Sequence, residues 1–191
     1  MGDDPRTSKD YPLRVDWVDE VIDLPAGLGM TFAPGMKADS SYGFRWERDL
    51  QADLAMLRGE YKADYLVSLM EDFEYGGYGM DDFFRSARES SLRVMHFSIV
   101  DTSVPEGWEE NRFVGLILDI KEALEEEKNV VIHCRGGLGR TGTVAACVLV
   151  SLSLGPEEAI QTIRETREGT IEFPAQEEYV RKFARRRKWN R

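Results

Sequence analysis

Cysteine and histidine are scarce in this chain, two of each in 191 residues. Two thiols cannot build a disulfide framework. Two histidines and two cysteines at no ligand spacing imply no metal, and nothing in the chain implies a cofactor. No lysine follows the last glycine of its glycine-rich loop, so a Walker-type nucleotide site is excluded. Long apolar runs are missing as well. The longest, GTVAACVLVSLSLG between Gly142 and Gly155, is too short to span a bilayer and reads as a helix buried in a core. The opening MGDDPRTS lacks the apolar stretch of a signal peptide, and Arg6 stands where an N-myristoylation pattern wants Ser or Thr. The expectation is a cytoplasmic protein with no stable membrane association. Cations are in deficit, 25 against 35 anions, for a net charge of -10. A phosphate-tracking protein needs a basic face, so no nucleic-acid partner is expected.

What remains is a soluble mix, 42% hydrophobic and 31% charged, of a length that suits one domain with a core of its own. Residues 1–20 read as a loosely structured N-terminal segment, polar at least over 1–12, and residues 21–191 as a single domain. The last eleven residues, Arg181 to Arg191, hold seven cations and no anion. They read as a solvated helix end, or as a contact for an acidic partner.

Strand and helix patterns alternate. Leu28–Gly35 reads as a short strand stopped by Pro34-Gly35. FRWERDLQADLAMLRGEY carries Leu50, Leu54 and Leu57 at helical spacing. Asp64–Met70 and Leu92–Ile99 read as strands, separated by a glycine-rich EYGGYG loop and a short helix around DDFFRSARE. Phe113, Leu116, Ile117, Ile120 and Leu124 form the apolar stripe of a helix whose other face is acidic. Asn129–Cys134 is an apolar run of the kind covered on both faces. After the helix that begins past Gly139, Pro156 and Pro174 open two more. The order predicts an α/β fold with a central, mostly parallel sheet flanked by helices.

The chemistry concentrates in VVIHCRGGLGRTG, residues 130–142. A buried strand runs into His133-Cys134, then a glycine-rich loop, then Arg140-Thr141 and a helix. Such a loop is an anion cradle. Glycines let successive N–H groups of Arg135, Gly136, Gly137, Leu138 and Gly139 point inward, and the helix N-terminus adds partial positive charge. Cys134 sits at its mouth, where the field that binds an oxyanion also favours a thiolate. Arg140 offers a planar fork for two phosphate oxygens. The same loop is formally G-x-G-x-x-G (Gly137, Gly139, Gly142). A dinucleotide site would need an acid ending a strand about 20 residues on, and Glu157 and Glu158 lie instead at a helix start. Cys147, among Ala and Val, reads as core, and His96 as structural.

The spacing H-C-x5-R-T resembles the phosphate loop of the cysteine-dependent protein tyrosine phosphatases, and the loop with its following helix resembles their atypical dual-specificity branch. The resemblance runs from about residue 24 to 184 and is strongest over 130–155. It implies the tyrosine phosphatase-like fold and a phosphorylated protein or peptide as substrate. It also implies a phospho-cysteine formed on Cys134, with Arg140 binding phosphate and Thr141 assisting the departing thiolate. His133 would orient the loop. In that family the general acid is an Asp on a loop about thirty residues before the cysteine. Asp101, 33 residues before it and just past the LRVMHFSI strand, takes that role, with Glu106 as runner-up. Gln176 stands where many members position the hydrolytic water. Two other readings stay open: action on non-protein phosphates such as phosphoinositides or RNA 5′ ends, and a non-catalytic phospho-binding module.

Overall fold

The computed structural model describes residues 5–40 and 43–187. In chain order the first half contains β1 (Arg6–Thr7), β2 (Asp16–Trp17), β3 (Leu28–Thr31), β4 (Lys37–Asp39), β5 (Arg45–Glu47), α1 (Leu50–Gly59), β6 (Tyr65–Ser68), α2 (Asp72–Gly77) and α3 (Phe83–Glu89). The second half adds β7 (Arg93–His96), α4 (Glu110–Glu125), β8 (Val130–His133), α5 (Gly139–Ser151), α6 (Pro156–Thr166) and α7 (Pro174–Arg187).

The main sheet has the order β2-β3-β8-β6-β7. Only its β2–β3 pairing is antiparallel; β3, β8, β6 and β7 run parallel, as the alternating pattern predicts. β8 is central and wholly buried because it has helices on both faces. Its side chains divide by the two-residue strand period: Val130 and Ile132 join the core under α4–α7, and Val131 joins the core on the side of α1 and α3. The predicted stripe of α4 is buried at all five positions, and α5 is buried along its whole length. Each fully buried Val or Leu on α5 contributes about 1.5–3 kcal/mol relative to exposure, so this helix anchors the loop that precedes it.

Three expectations need correction. The segment 44–47 is not the start of a helix. Arg45 and Glu47 are exposed while Phe44 and Trp46 are half-buried, a two-residue alternation, and β5 pairs with β4 and β1 in a second sheet. The helix begins only after Asp49, whose side chain accepts from Ala52 N at 2.9 Å. Part of the EYGGYG loop is helical: Glu71 and Glu74 form a capping box that starts α2 over the glycines. The described part of residues 1–20 is built into both sheets. β1 pairs with β5, and β2 pairs with β3. Residues 1–4 lie outside the described residues.

Three cations of the basic C-terminal run are paired within the chain. Arg181 pairs with Glu157 and Glu177, Arg185 with Glu178, and Arg186 with Glu110. Acidic neighbours on α4, α6 and α7 take these cations, which leaves them less available to an acidic partner. Residues 188–191 lie outside the described residues.

Candidate active site

The loop that follows β8 borders a cavity of about 720 Å³. Cys134, Arg135, Gly136, Leu138, Gly139 and Arg140 all line it. Gly137 faces the other way, onto β3. Its φ is +70°, and a Cβ there would stand 2.2 Å from the Thr31 carbonyl oxygen, so no other residue fits. Ala33 N donates to Arg135 O at 3.0 Å, a second tie between the loop and β3. α5 opens at Gly139 with no acid in its first turn, so its positive end faces the cradle uncompensated by its own side chains.

Arg140 is 1% exposed. Its guanidinium is gripped by Glu74, 3% exposed, through Nη1–Oε2 at 2.6 Å and Nη2–Oε1 at 3.0 Å. Nη1 also donates to Ile99 O at 3.1 Å, and Nη2 forms an ion pair with Asp101 at 3.0 Å. Burial works against the cation. The Glu74 hydrogen bonds and the charges of Cys134, Glu74 and Asp101 outweigh it and raise the Arg140 pKa. The Nε of Arg140 is buried and unpaired among the described residues, a donor free for an anion in the cradle. Asp101 itself is half-exposed and lines the same cavity, so the acid predicted from the loop position does meet the loop. Its neighbour Thr102 holds φ at +62°, and its N–H donates to Asp101 Oδ1 at 3.0 Å. Glu106 accepts from Trp108 Nε1 at 2.8 Å and does not line the cavity.

His133 is fully buried, with Nδ1 3.1 Å from Cys134 O. Since a carbonyl only accepts, Nδ1–H donates. Desolvation lowers its pKa to about 3, so it is neutral and braces the loop rather than carrying charge to Cys134. Thr141 Oγ1 is buried with no hydrogen-bond partner among the described residues. Cys147 is buried in α5 among the core residues, as expected, and burial raises its thiol pKa. His96 makes a structural contact, Nε2 to Met70 O at 2.8 Å.

Gln176 is buried and belongs to a bridge rather than to the cavity wall. Its Nε2 donates to Ser103 O at 3.3 Å and its Oε1 accepts from Phe173 N at 3.3 Å, tying the Asp101 loop to the start of α7. Glu172, one turn earlier, lines the cavity instead. It follows Ile171, a β-branched residue at φ +55°, the kind of backbone strain that gathers at functional sites.

Several residues at the site carry no sequence signal. Glu74 lies within a segment whose glycines suggest a loop. Arg167 donates to Gly137 O at 2.9 Å and Gly136 O at 3.2 Å, and is held by Asp16 at 2.5 Å. It ties up those two carbonyls, and it lines the cavity itself. Phe32, Phe44 and Trp46 form one wall of the cavity. Only the capping-box spacing Glu71–Glu74 offered a local hint, and it spoke for a helix rather than a site.

Comparison with known proteins agrees with this picture. A family model described as "Swiss Army Knife protein, DSP-PTPase phosphatase domain" matches residues 52–180. The chain is 26% identical over 188 residues to cyclin-dependent kinase inhibitor 3 of Rattus norvegicus, covering 95% of this chain and 83% of that protein. Among solved structures, kinase associated phosphatase with its catalytic-site cysteine substituted by serine aligns at a TM-score of 0.80 and 23% identity, covering 92% of this chain and 96% of that one. Tk-PTP in its active form aligns at 0.70 and 24% identity, covering 92% and 99%. These likenesses carry the α/β phosphatase fold expected from the sequence.

Proposed function

We propose, from the premise that this chain belongs to the DSP-PTPase phosphatase family, that it hydrolyses phosphate monoesters of proteins through a phospho-cysteine intermediate. The observation that carries the reading is the convergence of Cys134, Arg140 and Asp101 on one cavity, with Arg140 fixed from below by Glu74. A buried thiol, a preorganised guanidinium and a half-exposed carboxyl have the complementary roles of nucleophile, oxyanion clamp and proton donor.

In this reading the Cys134 thiolate attacks phosphorus. The S–P bond forms as the P–O bond to the substrate breaks. Loop N–H groups of residues 135–140 and the free Arg140 Nε hold the equatorial oxygens, where charge is spread in the transition state, and Nη2 joins them once Asp101 turns from it to the leaving oxygen. Asp101, released from Arg140 and protonated when the phosphate dianion takes its place at Nη2, gives that proton to the leaving oxygen. It then accepts one from the water that attacks phosphorus, and the S–P bond breaks to release phosphate and thiolate. Thr141, whose buried hydroxyl has no hydrogen-bond partner among the described residues, is the group assigned to stabilise the thiolate. Neutral His133 fixes the backbone at Cys134. Similarity to cyclin-dependent kinase inhibitor 3 and to a kinase associated phosphatase supports a phosphoprotein substrate, and we take its esters to be phosphotyrosine, with phosphoserine or phosphothreonine alongside. The cytoplasm is the setting this reading implies, because it keeps a nucleophilic thiol reduced. Among the described residues no helix is long and apolar enough to cross a membrane.

The test is Cys134→Ser against wild type on a generic aryl phosphate and a phosphotyrosine peptide. The serine variant should lose turnover yet bind the peptide, and rapid acid quench of wild type should trap a phosphoenzyme. Turnover without a trapped phospho-cysteine refutes the intermediate; binding without turnover in wild type points to a phospho-binding module.

A further inference from the structure

The cavity is larger than one phosphorylated side chain requires. At about 720 Å³ it falls among sites that enclose a drug-sized ligand, roughly 300–1,000 Å³. The cradle accounts for one end. The other end is a wall of Phe32, Phe44 and Trp46, all half-buried, with Met36 beside them. Phe32 stacks on Trp46 with centroids 5.2 Å apart and planes 24° apart, and Phe44 meets Trp46 edge-on at 4.9 Å. The Arg6 guanidinium covers the Phe44 ring at 3.6 Å.

This wall is held rigid from behind. Arg48, 1% exposed, lies over Phe32 at 4.8 Å and Trp46 at 5.5 Å. Asp53, equally buried, binds its fork through Nε–Oδ2 and Nη2–Oδ1, each 2.7 Å. Asp53 also accepts from Gly35 N at 2.8 Å, and Arg48 donates to Tyr11 O at 2.8 Å. A buried ion pair is weak support for stability, but it holds its surroundings in one arrangement. Phe32 and Ala33 follow β3 directly, and Ala33 N donates to Arg135 O. Phe32 is therefore tethered to the phosphate loop through its neighbour, and the Arg48–Asp53 pair ties Phe32 and Trp46 together, so the wall stands beside the cradle before any ligand arrives.

We infer that this aromatic wall is a second substrate subsite, which takes an aromatic or large apolar side chain flanking the phosphorylated residue of a peptide. The inference rests on the phosphatase reading for its occupant, because the wall continues the cavity that the cradle opens. The ring edges and surfaces that line the cavity recognise aromatic and apolar groups through area and edge-to-face geometry. Charge around the cavity is mixed: Arg6, Arg135 and Arg167 stand against Asp39, Asp101 and Glu172, and Glu74 neutralises Arg140, so net charge does not select the neighbour.

The experiment uses full-length protein carrying Cys134→Ser and measures Kd for phosphotyrosine peptides differing only in one neighbour, Phe or Ala, placed at −1 and at +1. At one position the Phe peptide should bind about tenfold tighter, a difference of about 1.4 kcal/mol. Phe44→Ala, which removes an open edge of the wall, should bring that ratio to within twofold of one, and Phe44→Leu should retain part of it. Near-equal Kd values at both positions overturn the inference, as does a tenfold ratio that survives Phe44→Ala. Failure of the phosphatase reading shows separately, as no turnover of either peptide by protein with Cys134 intact, while the Kd ratio still decides the subsite.

Discussion

Glu74→Ala removes the group that grips Arg140, and its cost can be worked from the geometry. The pair is almost fully buried, with two contacts at 2.6 and 3.0 Å. Deleting one partner of such a pair costs about 3–5 kcal/mol, because the remaining charge stays buried. Here Asp101 still faces Nη2 at 3.0 Å and Ile99 O still accepts from Nη1, so the low end applies. A further ~1 kcal/mol goes with the capping contact from Glu71 N to Glu74 Oε2, 2.8 Å. A total near ~4 kcal/mol lowers the Tm of a domain this size by roughly 8–16 °C. Catalysis should fall as well, by about 10²-fold in kcat/KM, since a guanidinium displaced by an ångström no longer aims its Nε at the phosphate. Glu74→Gln should lie between, keeping shape without charge. The assay pairs urea and thermal denaturation with steady-state turnover of an aryl phosphate. Glu74→Leu combined with Arg140→Met should recover stability but not activity. A Glu74→Ala protein with Tm within 2 °C and kcat/KM within threefold of wild type would refute the reasoning, because it would mean that Arg140 needs no support from below.

Two further predictions follow from the same site. Asp101→Asn should slow alkyl and phenyl phosphates by about 10²–10⁴-fold but an activated nitrophenyl ester far less, with Glu106→Gln nearly silent on both; leaving-group dependence of kcat/KM checks this, and the reverse pattern reassigns the acid. His133 folds with a pKa of about 3 against about 6.5 unfolded, lowered by burial. Its contribution to stability is therefore complete above about pH 6.5 and is lost as pH falls toward 3, by up to about 1.4 kcal/mol per pH unit. Urea midpoints between pH 4 and 7 should show a shallower acid slope in His133→Asn than in wild type; parallel slopes would mean His133 does not carry the linkage.

The chemistry of the loop was legible because it is contiguous. A strand, a thiol, glycines that free the backbone, an arginine and a helix start follow one another between residues 130 and 142, so short-range rules of chain geometry and charge suffice to read them. Alternating strand and helix periods likewise specified a mostly parallel sheet covered on both faces. The Asp101 assignment drew on family spacing, and the structure brings that carboxylate to Arg140. What composes the rest of the site depends on which chain ends meet at the top of the sheet. Glu74 reaches Arg140 across 66 residues, and Asp16 holds Arg167 across 151. The aromatic wall joins Phe32, just past β3 of the main sheet, to Phe44 and Trp46 at β5 of the small second sheet, and the four-residue alternation over 44–47 is overshadowed by the helical spacing of Leu50, Leu54 and Leu57 that follows it. Pairing at such separations is decided by strand order and by the burial of charge against charge, and a short alternation such as that over 44–47 does not say which strand will lie beside it.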